Sequence, residues 1–235
     1  MGAQLFELPV AVTLRLQSRS GRVDVIAEPR DDVLAEGDSI ESLVDDGGAT
    51  LRIRSGRGNK PLLVRCPAGS DVTVGTQSGP VKMTGDFGII SVTTASGAIE
   101  VESADEADLR TMSASVTIGT CRGRCRMNSA SGKVQAGSVG AASAGTMSGS
   151  IQIDEVNGSL KAHSVSGSID AACGGEGAIA IKTVSGKVHI ELPQGCEPKT
   201  RFKSLSGRIR CACPEGTDVL VEAMSVSGSI DVVPR

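Results

Sequence analysis

The chain of 235 residues has no tryptophan and no tyrosine, and its only phenylalanines are Phe6, Phe87 and Phe202. A core without aromatic bulk must be filled by Val, Ile, Leu, Ala, Met and Cys. These side chains stack well in rows, which suits a narrow, repeating interior. No apolar run approaches the roughly twenty residues of a membrane helix, so no membrane span is expected. The first residues, Met1-Gly2-Ala3-Gln4-Leu5-Phe6-Glu7, lack the basic and apolar parts of a signal peptide, and Phe6 stands where a myristoylation site needs Ser or Thr. The net charge of −3 lacks the dominant basic balance of a general nucleic-acid binder, so no nucleic acid is expected as partner. Seven irregularly spaced cysteines point to reduced thiols and a cytoplasmic location, or to the cell envelope if a leader or anchor has been removed.

What the chain does contain is one short phrase written nine times: Ser/Thr, usually an apolar residue, Ser, Gly, any residue, Val/Ile, any residue, apolar. Its Gly slots fall at Gly79, Gly97, Ala114 (the one replacement), Gly132, Gly149, Gly167, Gly186, Gly207 and Gly228, with spacings of 18, 17, 18, 17, 18, 19, 21 and 21. A period near twenty marks a solenoid whose units stack only on their neighbours.

Counting from the Gly slot as zero, apolar residues recur at minus seven and minus five, and Ser/Thr at minus three continues that phase. Minus two is apolar again in Met112, Met147, Val165, Val184, Leu205 and Val226, and polar in Gln77. Side chains alternate along a strand, so two adjacent inward positions require a bend. The expectation is a bend between minus three and minus two, followed by an inward row at minus two, zero, plus two and plus four. Plus two is always Val or Ile, and Val134, Ile151 and Ile169 are then predicted to lie one above another.

Residues 1–75 read as an N-terminal β cap with the first irregular coils. Residues 76–235 read as the regular solenoid of about nine coils, together one continuous domain. Strands are predicted in Val10-Ala11-Val12-Thr13-Leu14-Arg15-Leu16 and Thr50-Leu51-Arg52-Ile53-Arg54, with a turn at Ser55-Gly56-Arg57-Gly58-Asn59. An acidic stretch covers residues 28–46. Residues 66–72, CPAGSDV, match residues 213–219, CPEGTDV, almost position for position, which predicts one turn design near both ends of the array. The fold class is all-β, a single-stranded right-handed parallel β-helix, since parallel crossovers take the right hand. Antiparallel meanders would also alternate, but they do not explain a recurring corner.

No catalytic, cofactor-binding or metal site stands out. The Ser/Thr ladders are all alike, whereas a nucleophile needs one distinct residue, so they read as corner hydroxyls bonding to backbone. His163 and His189 fall on outward slots; His189 has Asp170 and Arg210 at its slot in the adjacent copies but no oxyanion motif. Cys121 and Cys125, and Cys211 and Cys213, lack the paired spacing of a zinc site, and Cys125 and Cys211 take inward slots. The outward row, Lys82, Glu100, Thr117, Gln135, Gln152, Asp170, His189, Arg210 and Asp231, shows no acid–base carboxylate pair.

With the repeat laid out, Ser-Gly-x-Ile/Val-x-apolar resembles the bacterial putative-adhesin family of β-strand-repeat proteins, also called toast-rack-like, over nearly the whole chain. The resemblance implies a pectin-lyase-like β-helix without catalytic residues, often sited at the cell envelope. The expected function is a non-enzymatic binding or scaffold surface. Its partners would be protein, or further copies joined through sheet edges, with carbohydrate as a further candidate. The final coil near Ile230-Asp231-Val232 is the expected open template. The alternatives are a polysaccharide lyase or hydrolase, with Asp170 and Glu100 as carboxylates to test, and an envelope-stress sensor binding a peptide or partner protein.

Overall fold

A computed structural model describes residues 2–7, 13–38, 40–45, 50–55 and 60–235. Val10, Ala11, Val12, Asp46 and the turn residues 56–59 lie outside the described residues. The chain divides into two compact units, Met1–Gly119 and Thr120–Arg235. The described residues form strands and no helix, and most strand pairings are parallel, the arrangement of a β-solenoid.

The first unit contains β1 (Gly2–Glu7), β2 (Thr13–Ser18), β3 (Val23–Glu28), β4 (Asp32–Gly37), β5 (Ile40–Asp45), β6 (Thr50–Ser55), β7 (Leu62–Pro67), β8 (Asp71–Thr76), β9 (Val81–Thr94) and β10 (Ile99–Thr111). They build two walls. One runs β5, β6, β2, β8, then the second half of β9 and of β10. The other runs β1, β4, β7, β3, then the first half of β9 and of β10. Each coil crosses from one wall to the other at the Ser-Gly corner. Among the described residues the antiparallel pairings are β1 with β4, β4 with β7 and β5 with β6, at the outer end of the unit. The acidic stretch supplies β4 and β5. Arg30 bonds Glu28 and Asp32 at 2.9 and 2.6 Å, and that guanidinium holds the Asp32 carboxyl below its usual range.

The strand β11 (Val116–Ser129) carries the chain into the second unit. There follow β12 (Val134–Thr146), β13 (Ile151–Val156), β14 (Leu160–Ser164), β15 (Ile169–Cys173), β16 (Ile179–Thr183), β17 (Val188–Leu192), β18 (Lys199–Ser204), β19 (Ile209–Cys211), β20 (Leu220–Ser225) and β21 (Ile230–Pro234). Val134 pairs with Ile151, Ile151 with Ile169 and Ile169 with Val188, so these residues do lie one above another. All four are fully buried. Each shields its neighbours along the stack, which is how a narrow solenoid excludes water without aromatic bulk.

Spatial order departs from chain order at both ends. In the second unit β20 lies between β16 and β18, and β21 between β17 and β19. The chain leaves β17, lays down an outer rung, and returns to fill the gap. In the first unit the rung of β6 and β7 lies outside that of β2 and β3, and the chain then returns to β8. The matching segments 66–72 and 213–219 are the two inward returns. In each the aspartate accepts a backbone N–H from a neighbouring rung: Asp71 from Ile89 at 2.7 Å, and Asp218 from Glu197 at 3.0 Å.

The expected final coil is therefore corrected. Ile230 and Val232 are buried and paired on both sides, and the outermost rung is β18 with β19. The reason is reach. The spacing rises to 21 at Gly207 and Gly228, and the extra residues with their Pro-x-Gly turns let the chain skip a level and come back.

Candidate functional site

The corner was expected to turn minus two inward, and the structure corrects this. Met112 and Met147 are 64% and 61% exposed, and Val165, Val184, Leu205 and Val226 are exposed as well. The bend occupies minus two and minus one together, and both point outward. What turns inward is the hydroxyl at minus three, buried in Thr94, Thr111, Ser129, Thr146, Ser164, Thr183 and Ser225. In Thr94, Ser129, Thr146, Ser164 and Ser225 it accepts a hydrogen bond from the Gly N–H three residues on, as Thr94 does from Gly97 at 2.9 Å, Ser164 from Gly167 at 2.8 Å and Ser225 from Gly228 at 2.7 Å. Thr111 instead donates to the Gly97 carbonyl at 3.4 Å, and the Thr183 hydroxyl has no hydrogen-bond partner among the described residues. A buried N–H left unpaired would be costly, so this ladder is structural. The exposed serines at minus one keep their backbone N–H groups in the stack, as Ser166 does with the Met147 carbonyl.

The corner glycines take no positive φ, in contrast to Gly69, Gly85, Gly175, Gly177 and Gly195. Their constraint is proximity. A Cβ on Gly167 would lie 1.7 Å from the Gly149 carbonyl oxygen, on Gly228 1.8 Å from that of Gly186, and on Gly207 1.8 Å from that of Gly228. These contacts trace the same inverted order at the end of the second unit.

The two histidines are outward, as the phase predicts. His163 pairs with Gly145, and its ring lies where a Gly145 side chain would go. His189 has Asp170 on one side, as expected, but Asp231 rather than Arg210 on the other, because the final rungs are exchanged. Its Nε2 is 3.5 Å from Glu191 and its Nδ1 3.8 Å from Asp231. Cys125 is buried in its inward slot, while Cys211 is half-buried at the outer rung. Burial pushes the Cys66 thiol up to about 11 and the Cys173 thiol up to about 12, so both stay protonated. Among the described residues no three His, Cys, Asp or Glu side chains are placed to share a metal ion.

The feature with unspent binding capacity is the outer rung of the second unit. Among the described residues β18 pairs only with β20 and β19 only with β21. Ile209 continues the buried row of Val188 and Ile230, yet it is 40% exposed, and Leu205 beside it is 88% exposed. The exposed Arg208 and Arg210 flank Ile209, and Lys199, Arg201 and Lys203 are exposed on β18, Arg201 paired with Glu222 at 3.1 Å. Phase reasoning missed the site because it assumed that the last rung in sequence is the last in space. The lengthened final spacings were the available signal.

The Toastrack DUF4097 family matches residues 30–233. The chain belongs to this family. Solved structures similar to it include a putative adhesin from Bacteroides fragilis NCTC 9343, at 14% identity and TM-score 0.46, covering 98% of this chain and 95% of that one. Another is a putative adhesin from Parabacteroides distasonis ATCC 8503, at 13% identity and TM-score 0.45, covering 98% and 96%. A third is a putative cell adhesion protein from Clostridium sporogenes ATCC 15579, at 10% identity and TM-score 0.29, covering 100% and 99%. No curated protein matches this Toastrack chain. No helix among its described residues is long and apolar enough to cross a membrane.

Proposed function

We propose that this Toastrack protein is a non-enzymatic binding and scaffold module that joins further copies of itself, or a partner strand, through the open rung of β18 and β19. The carrying observation is that rung: its sheet pairing is one-sided, and Ile209 stands 40% exposed in a row whose inner members are buried. An unpaired strand edge is a ready template for another strand. The surrounding lysines and arginines disfavour pairing with the same edge of a second copy. They favour a more acidic strand. We take the coil to be right-handed, the hand of nearly all parallel crossovers, and the compartment to be reducing. Cys66, Cys173, Cys196, Cys211 and Cys213 as free thiols support the latter reading.

Sedimentation velocity across a concentration series tests the assembly. The expected result is reversible association that weakens with salt and is lost in Ile209→Lys. That substitution places a charge in the open end of the row, where its stem still has room to reach solvent. A strict monomer at high concentration, or unchanged association in Ile209→Lys, overturns the proposal.

A further inference from the structure

The outer face of the first unit carries a groove of about 840 Å³ that adjoins a second of about 450 Å³, the two sharing Gln17, Glu41 and Arg54. One row of outward residues runs along its length in strict register: Arg54, Gln17, Gly75, Thr93 and Arg110, on β6, β2, β8, β9 and β10. Four strand spacings separate the terminal arginines, about 19 Å. The floor is small because Gly75 has no side chain. A Cβ there would meet nothing within 4 Å, so the glycine is not demanded by packing. A glycine inside a strand weakens it, and such a residue often marks a place where something else approaches.

Among the described residues five arginines line the two grooves, at 15, 19, 52, 54 and 110, against one lining carboxylate, Glu41, with Asp108 alongside pairing Arg110. This is a local excess of positive charge on a chain of net charge −3. The guanidiniums are oriented. Arg54 donates to the Gln17 side-chain oxygen at 3.0 and 3.2 Å, and Arg110 is forked onto Asp108 at 2.9 and 2.7 Å. Planar fork donors suit carboxylates and sulfates; the Arg110 fork already holds the Asp108 carboxylate, which leaves Arg15 and Arg54 to meet a ligand. Strands β2 and β8 and the second half of β9 are paired on both sides. Over these strands the groove offers no main-chain edge, only side chains repeating at strand spacing; its edge strand is β5, which pairs with β6 alone among the described residues. With no Trp or Tyr in the chain, a neutral sugar would also find no aromatic platform to stack on.

We propose that this groove binds a linear acidic polysaccharide, its acid groups on Arg15 and Arg54 at one end and its hydroxyls over Gln17, Gly75 and Thr93. The ligand is an extended chain because the row of side chains it would follow, from Arg54 to Arg110, is about 19 Å long, with Arg15 and Arg54 close together at one end of it. This site is separate from the open rung of the second unit and does not depend on it.

The test is fluorescence anisotropy with labelled polygalacturonate and labelled dextran sulfate. Uncharged dextran and poly-glutamate serve as comparisons, with two variants, Gly75→Phe and the double variant Arg15→Gln with Arg54→Gln. Gly75→Phe fills the floor at a position where the protein leaves space, and thermal melts followed by circular dichroism check that both variants fold. The expected result is saturable, salt-sensitive binding of at least one acidic glycan and none of uncharged dextran. Binding should weaken about tenfold or more in each folded variant, the loss expected for removed charge-assisted contacts. Carboxylate against sulfate preference is read from the two glycans. Absence of binding at low salt, equal affinity in both variants, or poly-glutamate binding as tightly as either glycan would overturn it.

Discussion

The position a Cβ would take on Gly167 lies 1.7 Å from a neighbouring backbone carbonyl, whereas one on Gly75 meets no atom within 4 Å. The two glycines should therefore answer differently to the same change. Gly167→Ala is expected to cost at least about 2 kcal/mol, because backbone rather than a flexible side chain must move. Gly75→Ala is expected to lie within about 0.5 kcal/mol of the parent. Urea unfolding of both variants checks this. Ser164→Ala, which removes the acceptor for the Gly167 N–H at 2.8 Å, should cost about 1–2 kcal/mol. The buried thiols add a pH dependence. Burial raises Cys66 to about 11 and Cys173 to about 12, above the ordinary thiol value of about 8.5. Protonated thiols are thus favoured in the folded state. Their contribution is complete below the ordinary value and is lost as pH rises through the raised ones. With no tyrosine titrating in that window, urea midpoints should fall as pH climbs past about 9, and fall less in Cys66→Ala with Cys173→Ala.

At the scale of the strand, position in the sheet decides stability more than composition does. The outer strand β19 reads Ile-Arg-Cys and the inner β21 begins Ile-Asp-Val, two copies of the same phrase. β21 bonds neighbours on both sides and β19 on one. Amide hydrogen exchange should accordingly protect the amides of residues 230–232 far more than those of 209–211. Equal protection, or the reverse order, would contradict the exchanged rungs. The same logic explains the exposed minus-two residues. They sit on the outside of a two-residue bend, where the corner hydrogen bonds stack Met147, Val165, Val184 and Val226 rung on rung as an exposed apolar row rather than turning them into the core.

At the scale of the molecule, exchanged end rungs make the C-terminal segment an interior part of the second unit. Removing residues 220–235 deletes the rung between β16 and β18 and leaves β18 and β19 without their partners. Excising residues 199–216 and closing the gap with a short flexible linker deletes only an edge. The first deletion should lower the melting temperature much more than the second, although it is the shorter one. For an array ordered as its sequence is, the terminal deletion would be the milder. A solenoid that returns to fill its own gap ties its last rung in on both faces, which reduces fraying at that end.

The phrase repeated near every twenty residues was enough to determine parallel stacking, the buried plus-two row through Val134, Ile151 and Ile169, the outward histidines and the structural use of the corner hydroxyls. Each of these follows from a local period that every rung obeys. The Toastrack family was legible for the same reason. Three things were decided only by tertiary structure: which way minus two points, which rung is outermost, and where the arginines of β2 and β6 meet. The first depends on how the minus-three hydroxyl folds in to reach the Gly N–H, a contact that a strict alternation rule does not contain. The second and third depend on rungs lying beside one another out of chain order. A sequence period fixes what each rung looks like, but long connections leave open which rung it will lie against, and packing makes that choice.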